Sequence, residues 1–161
     1  MSEQTSNTID PKELRNVCGK FATGITIVTT ELDGEAHGMT ANAFTSVSLD
    51  PPLVLVSVDH RASMHERLPK TGRYAVSILG HDQEHLSTHF AGRPDPELAD
   101  PFVRRNGMPV IDGAIAYFTT KIVDMHPAGD HTLYIGEVDY IECNDDDPIL
   151  YYVGKYRQLQ D

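Results

Sequence analysis

The chain has 161 residues, the length of one domain with a core of its own, so neither disulfides nor a structural metal are needed to hold it together. Lys and Arg number 13 against 24 Asp and Glu; a formal net charge of −11 repels phosphate backbones and anionic lipid surfaces, which excludes nucleic-acid and membrane-surface partners. Two cysteines, Cys18 and Cys143, outside any C-x-x-C spacing, exclude a disulfide scaffold and a cysteine-rich zinc module. No apolar run approaches a bilayer span and the polar start shows no signal pattern, so a cytoplasmic location is expected.

Residues 1–9 read as a disordered lead, and residues 10–161 as a single domain. Asp10-Pro11-Lys12-Glu13 predicts a helix start, with Asp10 as N-cap, Pro11 at the first helical position and Glu13 completing a box-like cap. Leu14, Val17, Cys18 and Phe21 follow at helical spacing, and Gly24 is the expected end. Residues 25–30 are β-branched and predict a strand, Asp33-Gly34 a hairpin turn, and residues 36–40 the returning strand. After Pro51-Pro52, residues 53–58 predict a strand buried on both faces. Ser63-Met64-His65-Glu66 reads as a second capping box that opens a helix to about residue 70. A strand over 74–79 and a helix over 82–90, with Leu86 and Phe90 inward, come next. Residues 92–113 are rich in Pro and Gly and predict a surface loop with one helical turn. Strands over 115–125 and 132–143 flank the turn Pro127-Ala128-Gly129-Asp130; a last strand covers 149–153 and a tail 154–161.

Six or seven strands joined mainly by hairpin-sized turns, with two or three short helices between them, predict a mainly β fold: an antiparallel barrel with peripheral helices. No G-x-G-x-x-G follows a strand, which argues against a Rossmann domain.

The densest polar signal is the 11-residue run from Gly38 to Ser48, dominated by small and hydroxyl side chains. Such a run lets backbone approach a flat ligand and offers donors and acceptors along its edge; it is also what a plain Ser/Thr-rich edge strand looks like. His60-Arg61-Ala62-Ser63 precedes a predicted helix, where free amides, a hydroxyl and an arginine suit an anion, or where Ser63 simply caps. Phe90-Ala91-Gly92-Arg93 closes a helix in a small-residue turn, and Gly129-Asp130-His131 puts a proton-carrying ring at the mouth of a hairpin or merely decorates it. His81, His85 and His89 recur every fourth residue; the outer two stand about 12 Å apart on a helix, too far to share an ion, and no metal site is expected. There is no G-x-S-x-G elbow and no Walker-type loop.

The chain resembles the short flavin reductase family, flavin-binding split β-barrels that include the reductase components of two-component monooxygenases. The resemblance is carried by Phe21-Ala22-Thr23-Gly24-Ile25-Thr26-Ile27-Val28-Thr29-Thr30, Gly38-Met39-Thr40-Ala41-Asn42 and Phe44-Thr45-Ser46-Val47-Ser48-Leu49-Asp50-Pro51-Pro52-Leu53-Val54. It continues in Phe90-Ala91, Gly129-Asp130-His131 and Tyr151-Tyr152-Val153-Gly154-Lys155-Tyr156, in the family's order over nearly the whole chain. It implies an antiparallel, Greek-key type split barrel, hydride transfer from NADH or NADPH to FMN or FAD, with FMN slightly favoured, and delivery of reduced flavin to a partner monooxygenase. A non-catalytic flavin-binding or electron-carrier protein on the same barrel is the alternative, and a homodimer is implied in either case. Thr40, Ala41 and Asn42 would lie along the isoalloxazine, and Ser46, Val47 and Ser48 would hold its pyrimidine edge and ribityl chain. Ala62 and Ser63 would meet the phosphate, and Phe90 and Ala91 would border the phosphate or an adenosine. His131 would face the nicotinamide as the catalytic residue, and Tyr152, Gly154, Lys155 and Tyr156 would receive the pyridine nucleotide. Arg61, Arg93 and Lys155 are the expected local compensation for the net negative charge. Ala43 and Ser77 depart from a common serine and a frequent asparagine of the family.

Overall fold

The computed structural model describes residues 8–160; most of the expected lead and Asp161 lie outside the described residues. Asp33 and Gly34 both adopt positive φ, 53° and 79°, the backbone a two-residue hairpin turn demands, and they fold β2 (Thr26–Leu32) back on β3 (Glu35–Ala41). The same device, Asn106-Gly107, joins β7 (Phe102–Arg105) to β8 (Met108–Ile111). After a short β1 (Thr23–Gly24), the principal sheet takes strands β2, β3, β4 (Phe44–Leu49), β5 (Pro52–Asp59), β6 (Arg73–Ile78), β9 (Ala116–Ala128) and β10 (His131–Cys143). Their order is β3-β2-β6-β9-β10-β5-β4, antiparallel at every pairing.

The two edges of that sheet are β3 and β4, neighbours in the chain separated only by Asn42 and Ala43. They share no ladder, yet Met39 and Ala41 of β3 and Phe44 of β4 pack on one common core. The sheet therefore curls until its edges face each other across a slit, the mainly β, antiparallel architecture expected. The enclosed core is Val28, Val54, Val56, Val58, Tyr74, Val76 and Tyr134, closed by Met64 and Leu68 of helix α2 (Ser63–Thr71). A second cluster, including Ile25, Ile27, Leu79 and Ile149, lies on the opposite face of β2 with Leu86 of α3 (Glu84–His89). A small sheet of β1, β11 (Ile149–Tyr152) and β12 (Lys155–Gln158) flanks it.

Several expectations are corrected. Helix α1 (Pro11–Cys18) keeps its Asp10 N-cap, whose side chain accepts from Lys12 N–H at 2.9 Å, but it ends at Gly19 rather than Gly24. It buries no residue: Leu14 and Val17 are exposed, and Phe21, beyond the helix, is 80 % exposed. Residues 92–113 are not a surface loop, since they hold the β7–β8 hairpin and every residue of β8 is buried. The strand after Pro51 alternates, with Val54, Val56 and Val58 inward; it is β2, between β3 and β6, that is covered on both sides. β12 falls where a tail was expected, and β4 is the Ser/Thr-rich edge strand that was one of the two readings of the Gly38–Ser48 run. Among the described residues there are twelve strands and three helices.

Candidate functional site

At the edge of β3 the backbone is tied to α3. Thr40 N–H donates to the Phe90 carbonyl at 3.2 Å, and Thr40 Oγ1 donates to the Ser87 carbonyl at 2.6 Å. Ser87 Oγ and the Tyr156 hydroxyl share a bond of 2.9 Å, so β3, α3 and β12 are latched around one open cleft of about 200 Å³. Thr40, Ala41, Asn42, Ala91, Tyr151 and Tyr156 line it, with Ile25 and Ser87. The Tyr151 and Tyr156 rings meet edge to face, centroids 5.6 Å apart, and form its aromatic wall.

On the other edge of the slit, Ser46 pairs with Val54 and Ser48 with Leu53, which leaves Val47 as the extra residue of a bulge. A bulge leaves one residue out of the ladder and turns the strand, so Val47 lies unpaired between the hydroxyls of Ser46 and Ser48. Ser46 and Val47 are exposed and Ser48 half-buried.

The third element is the start of α2. Ala62 is the N-cap and makes no side-chain bond; the box expected at Ser63 does not form, because the Ser63 hydroxyl bonds His37 Nε2 at 2.9 Å. The Ser63 and Met64 amides at the helix start are thus without a side-chain cap, while His65 N–H donates to the Ala62 carbonyl at 3.1 Å. Arg67, one turn on and on the same helix face as Ser63, has a buried Nε without a partner among the described residues. Partial burial, then the nearby Arg67 charge, holds the His37 imidazole below its ordinary value.

His131 stands beside this end and does not line the Thr40–Asn42 cleft. It lies opposite Asp59 in the β10–β5 register, and its Nδ1 is 2.7 Å from Asp130 Oδ1. Asp59 receives two bonds from the Arg61 side chain, at 3.2 and 2.9 Å, which consumes the guanidinium expected to serve a ligand and holds the Asp59 carboxyl far below the usual carboxylate range. The His131 bond likewise lowers Asp130. Asp59, Asp130 and His131 have their polar atoms within 4.8 Å of one another. Nearby, the His60 and His65 rings stack at 4.6 Å and His65 Nδ1 bonds the Tyr134 hydroxyl at 2.7 Å.

A family model described as flavin reductase like domain matches residues 18–160. The chain belongs to the flavin reductase-like family. It is 47 % identical over 164 aligned positions, 98 % of this chain and 93 % of the other, to an NADH-dependent flavin reductase of a Rhodococcus species. It is 37 % identical over 146, 90 % and 94 % of the two chains, to the reductase component of a 4-hydroxyphenylacetate 3-monooxygenase from Thermus thermophilus. Its structure superposes on that of the flavin reductase PheA2 with a TM-score of 0.92 at 49 % identity, covering 95 % of this chain and all of the other. It superposes on a Streptomyces globisporus NADH:FAD oxidoreductase, solved in complex with NAD and FAD fragments, with a TM-score of 0.85 at 38 % identity and 96 % and 98 % coverage.

The residues present fit a flavin of this family. Small side chains along both edges leave room for a flat ring, and the buried Thr23 Oγ1, with no partner among the described residues, lies in a groove that shares Asn42 with the cleft. The orphaned Arg67 Nε is the matching feature at the phosphate end. From Ala41 to His37 is four residues of β3, roughly 13 Å, with the ring placed at one end and the phosphate at the other.

Of the residues singled out in the sequence, Thr40, Ala41, Asn42, Ala91 and Tyr156 share one cleft, and Phe90 supports it from beneath. Gly154 lines an adjoining cavity; Tyr152 lies under Lys20, whose Nζ is 5.9 Å from the ring centroid, and Lys155 is exposed. The histidine series is broken, because α3 begins at Glu84 and leaves His81 off the helix, while His89 Nδ1 accepts from Asp95 N–H at 2.8 Å. Sequence reasoning missed His37, Arg67, Ser87 and Tyr151. The i, i+4 spacing of Ser63 and Arg67 was the available signal for one of them.

Proposed function

We propose that this chain is an NADH-dependent flavin reductase that supplies reduced flavin to a partner monooxygenase. The observation that carries the reading is the slit between β3 and β4, with Thr40–Asn42 and the Val47 bulge on its two edges and an uncapped helix start at the far end of β3. The curated relatives named above, an NADH-dependent flavin reductase and a monooxygenase reductase component, support the same activity.

The bound flavin supplies a ring that accepts hydride from the nicotinamide. The protein's share is orientation. Thr40, Ala41 and Asn42 carry the ring, Ser46, Val47 and Ser48 hold its polar edge, and Ala62 and Ser63 with Arg67 hold the phosphate. Phe90 and Ala91 border the ligand, and the Tyr152–Tyr156 segment, including Gly154 and Lys155, admits the donor. His131, oriented by Asp130, is the candidate catalytic group toward the nicotinamide.

FMN is the slightly favoured flavin in this reading. The chain works as a homodimer: the exposed Val17, Phe21, Leu49 and Ile141, the third of them 91 % exposed, are apolar surface of the kind a two-fold contact covers. Its place is the cytoplasm, where a soluble oxygenase would receive the reduced flavin. Incubation with FMN or FAD and with NADH or NADPH tests the reading. Nicotinamide consumption that depends on added flavin supports it, whereas flavin uptake without consumption favours the electron-carrier alternative.

A further inference from the structure

His131 is the first residue of β10, where the strand emerges from a tight turn. One residue across the ladder holds both of its neighbours. The His60 N–H donates to the Asp130 carbonyl at 2.9 Å, and His60 Nε2 lies 2.9 Å from the Thr132 hydroxyl. Thr132 is buried, so its hydroxyl is withdrawn from water and relies on the ring.

The ring is itself fixed. It stacks on His65, with centroids 4.6 Å and planes 33° apart. His65 belongs to α2, and its Nδ1 lies 2.7 Å from the Tyr134 hydroxyl, which donates to the His65 carbonyl at 3.2 Å. Tyr134 is fully buried in the enclosed core. A continuous path of contacts therefore runs from the core through His65 and His60 to both neighbours of His131.

Strand pairing does not require this arrangement. β10 is already laddered to β5 from His131 to Glu137, and His60 lies just past the end of β5, where it is exposed. Side chains alternate along a strand, so a grip on the Asp130 carbonyl and on the Thr132 side chain sets the backbone between them, and with it the direction in which His131 leaves that backbone. Asp130 Oδ1, 2.7 Å from His131 Nδ1, then sets the rotation of the ring.

We propose that His60 is a positioning residue for the reaction: it fixes the β10 backbone on either side of His131, so that the His131 ring stands where it meets the nicotinamide. The inference rests on the reading of His131 as the group that faces the donor and adds to it a residue that acts only through His131. A displacement of about 1 Å at such a group costs up to about a hundredfold in rate, and loosening one of several holds costs less.

His60→Ala and the near-isosteric Thr132→Val remove the bond from opposite sides, while His60→Gln keeps a polar group within reach of Thr132. The first measurement is the His131 Cε1–H resonance, identified by its loss in His131→Ala. It is expected to broaden or split in His60→Ala and in Thr132→Val and to sharpen again in His60→Gln. An unchanged line in Thr132→Val overturns the proposal whether or not the chain reduces flavin. The second is the rate of flavin reduction at saturating NADH in the absence of oxygen. His60→Ala is expected to lower it about fivefold, with flavin affinity within about twofold, and His60→Gln to recover part of the loss. In the His131→Ala background the same change is expected to have no further effect on the rate, since a residue that works through another then has nothing left to act on. A lower Tm with an unaltered rate, or the same loss of rate with and without His131, would reduce His60 to a structural role and overturn the proposal. An unaltered chain that takes up flavin and leaves it oxidised contradicts the flavin reductase reading alone, and the His131 resonance still decides the role of His60.

Discussion

The ring of Phe90 occupies the space a side chain at Gly38 would need. A Cβ on Gly38 would stand 2.8 Å from Phe90 Cε1 and 2.9 Å from Cδ1, with Ile27 Cγ2 at 3.2 Å behind. Because the Phe90 carbonyl also receives Thr40 N–H, the ring and the flavin edge are set by one contact. Gly38→Ala is expected to cost about 1–3 kcal/mol of stability through overpacking and to weaken flavin binding. Chemical denaturation and a flavin titration check it; a variant with unaltered midpoint and affinity would show that the contact positions nothing.

Val153 turns β11 into β12 with φ of 51°, a left-handed conformation that a β-branched residue rarely holds. Asparagine tolerates it, so Val153→Asn is expected to gain about 1 kcal/mol, or about 2–4 °C in Tm for a chain of this size. A lower Tm would mean that the valine side chain contributes more than its backbone costs.

His37 gives a pH dependence with a definite sign. Burial and Arg67 hold its imidazole below the ordinary 6.5 in the folded chain, so on acidification the unfolded chain takes up the proton first. The associated stability is fully present above about pH 6.5 and is lost as pH falls through the lower, folded value. His37→Gln is expected to flatten the change in urea midpoint between about pH 7.5 and about pH 5.5; a slope equal to the parent's would remove His37 from the account.

His131 has its Nδ1 2.7 Å from Asp130 Oδ1, and in the proposed reading its Nε2 meets the donor. His131→Ala is expected to lower kcat/KM about tenfold or more while flavin affinity stays within about twofold. Loss of flavin binding in step with turnover would place the residue in flavin binding rather than in catalysis.

Much of the fold was legible in the sequence, and the failures have physical causes. Asp33-Gly34 announced its hairpin because the turn type demands those residues, and Asn106-Gly107 carried the same signal, hidden by the prolines on either side of it. The Gly38–Ser48 run left a ligand shelf and an edge strand both open at Phe44–Leu49, because an edge strand with a bulge does not keep a clean apolar alternation. The α1 periodicity was real but faced outward, since periodicity shows that a helix has an apolar side and not what covers it. At the site, Thr40–Asn42 and Ser46–Ser48 were visible as compact, hydroxyl-rich sequence. Ser87 and Tyr151 were not, because what brings them to the cleft is the latch of α3 and β12 onto β3, a long-range arrangement no local pattern encodes. Ser63 was taken for a cap because its partner His37 lies 26 residues away.

The central claim is tested most directly by mixing the flavin-loaded chain with NADH in the absence of oxygen and following both chromophores. The account predicts that the oxidised-flavin absorbance disappears together with the nicotinamide absorbance, one flavin for each NADH. A chain that holds flavin tightly and leaves both absorbances unchanged would contradict it.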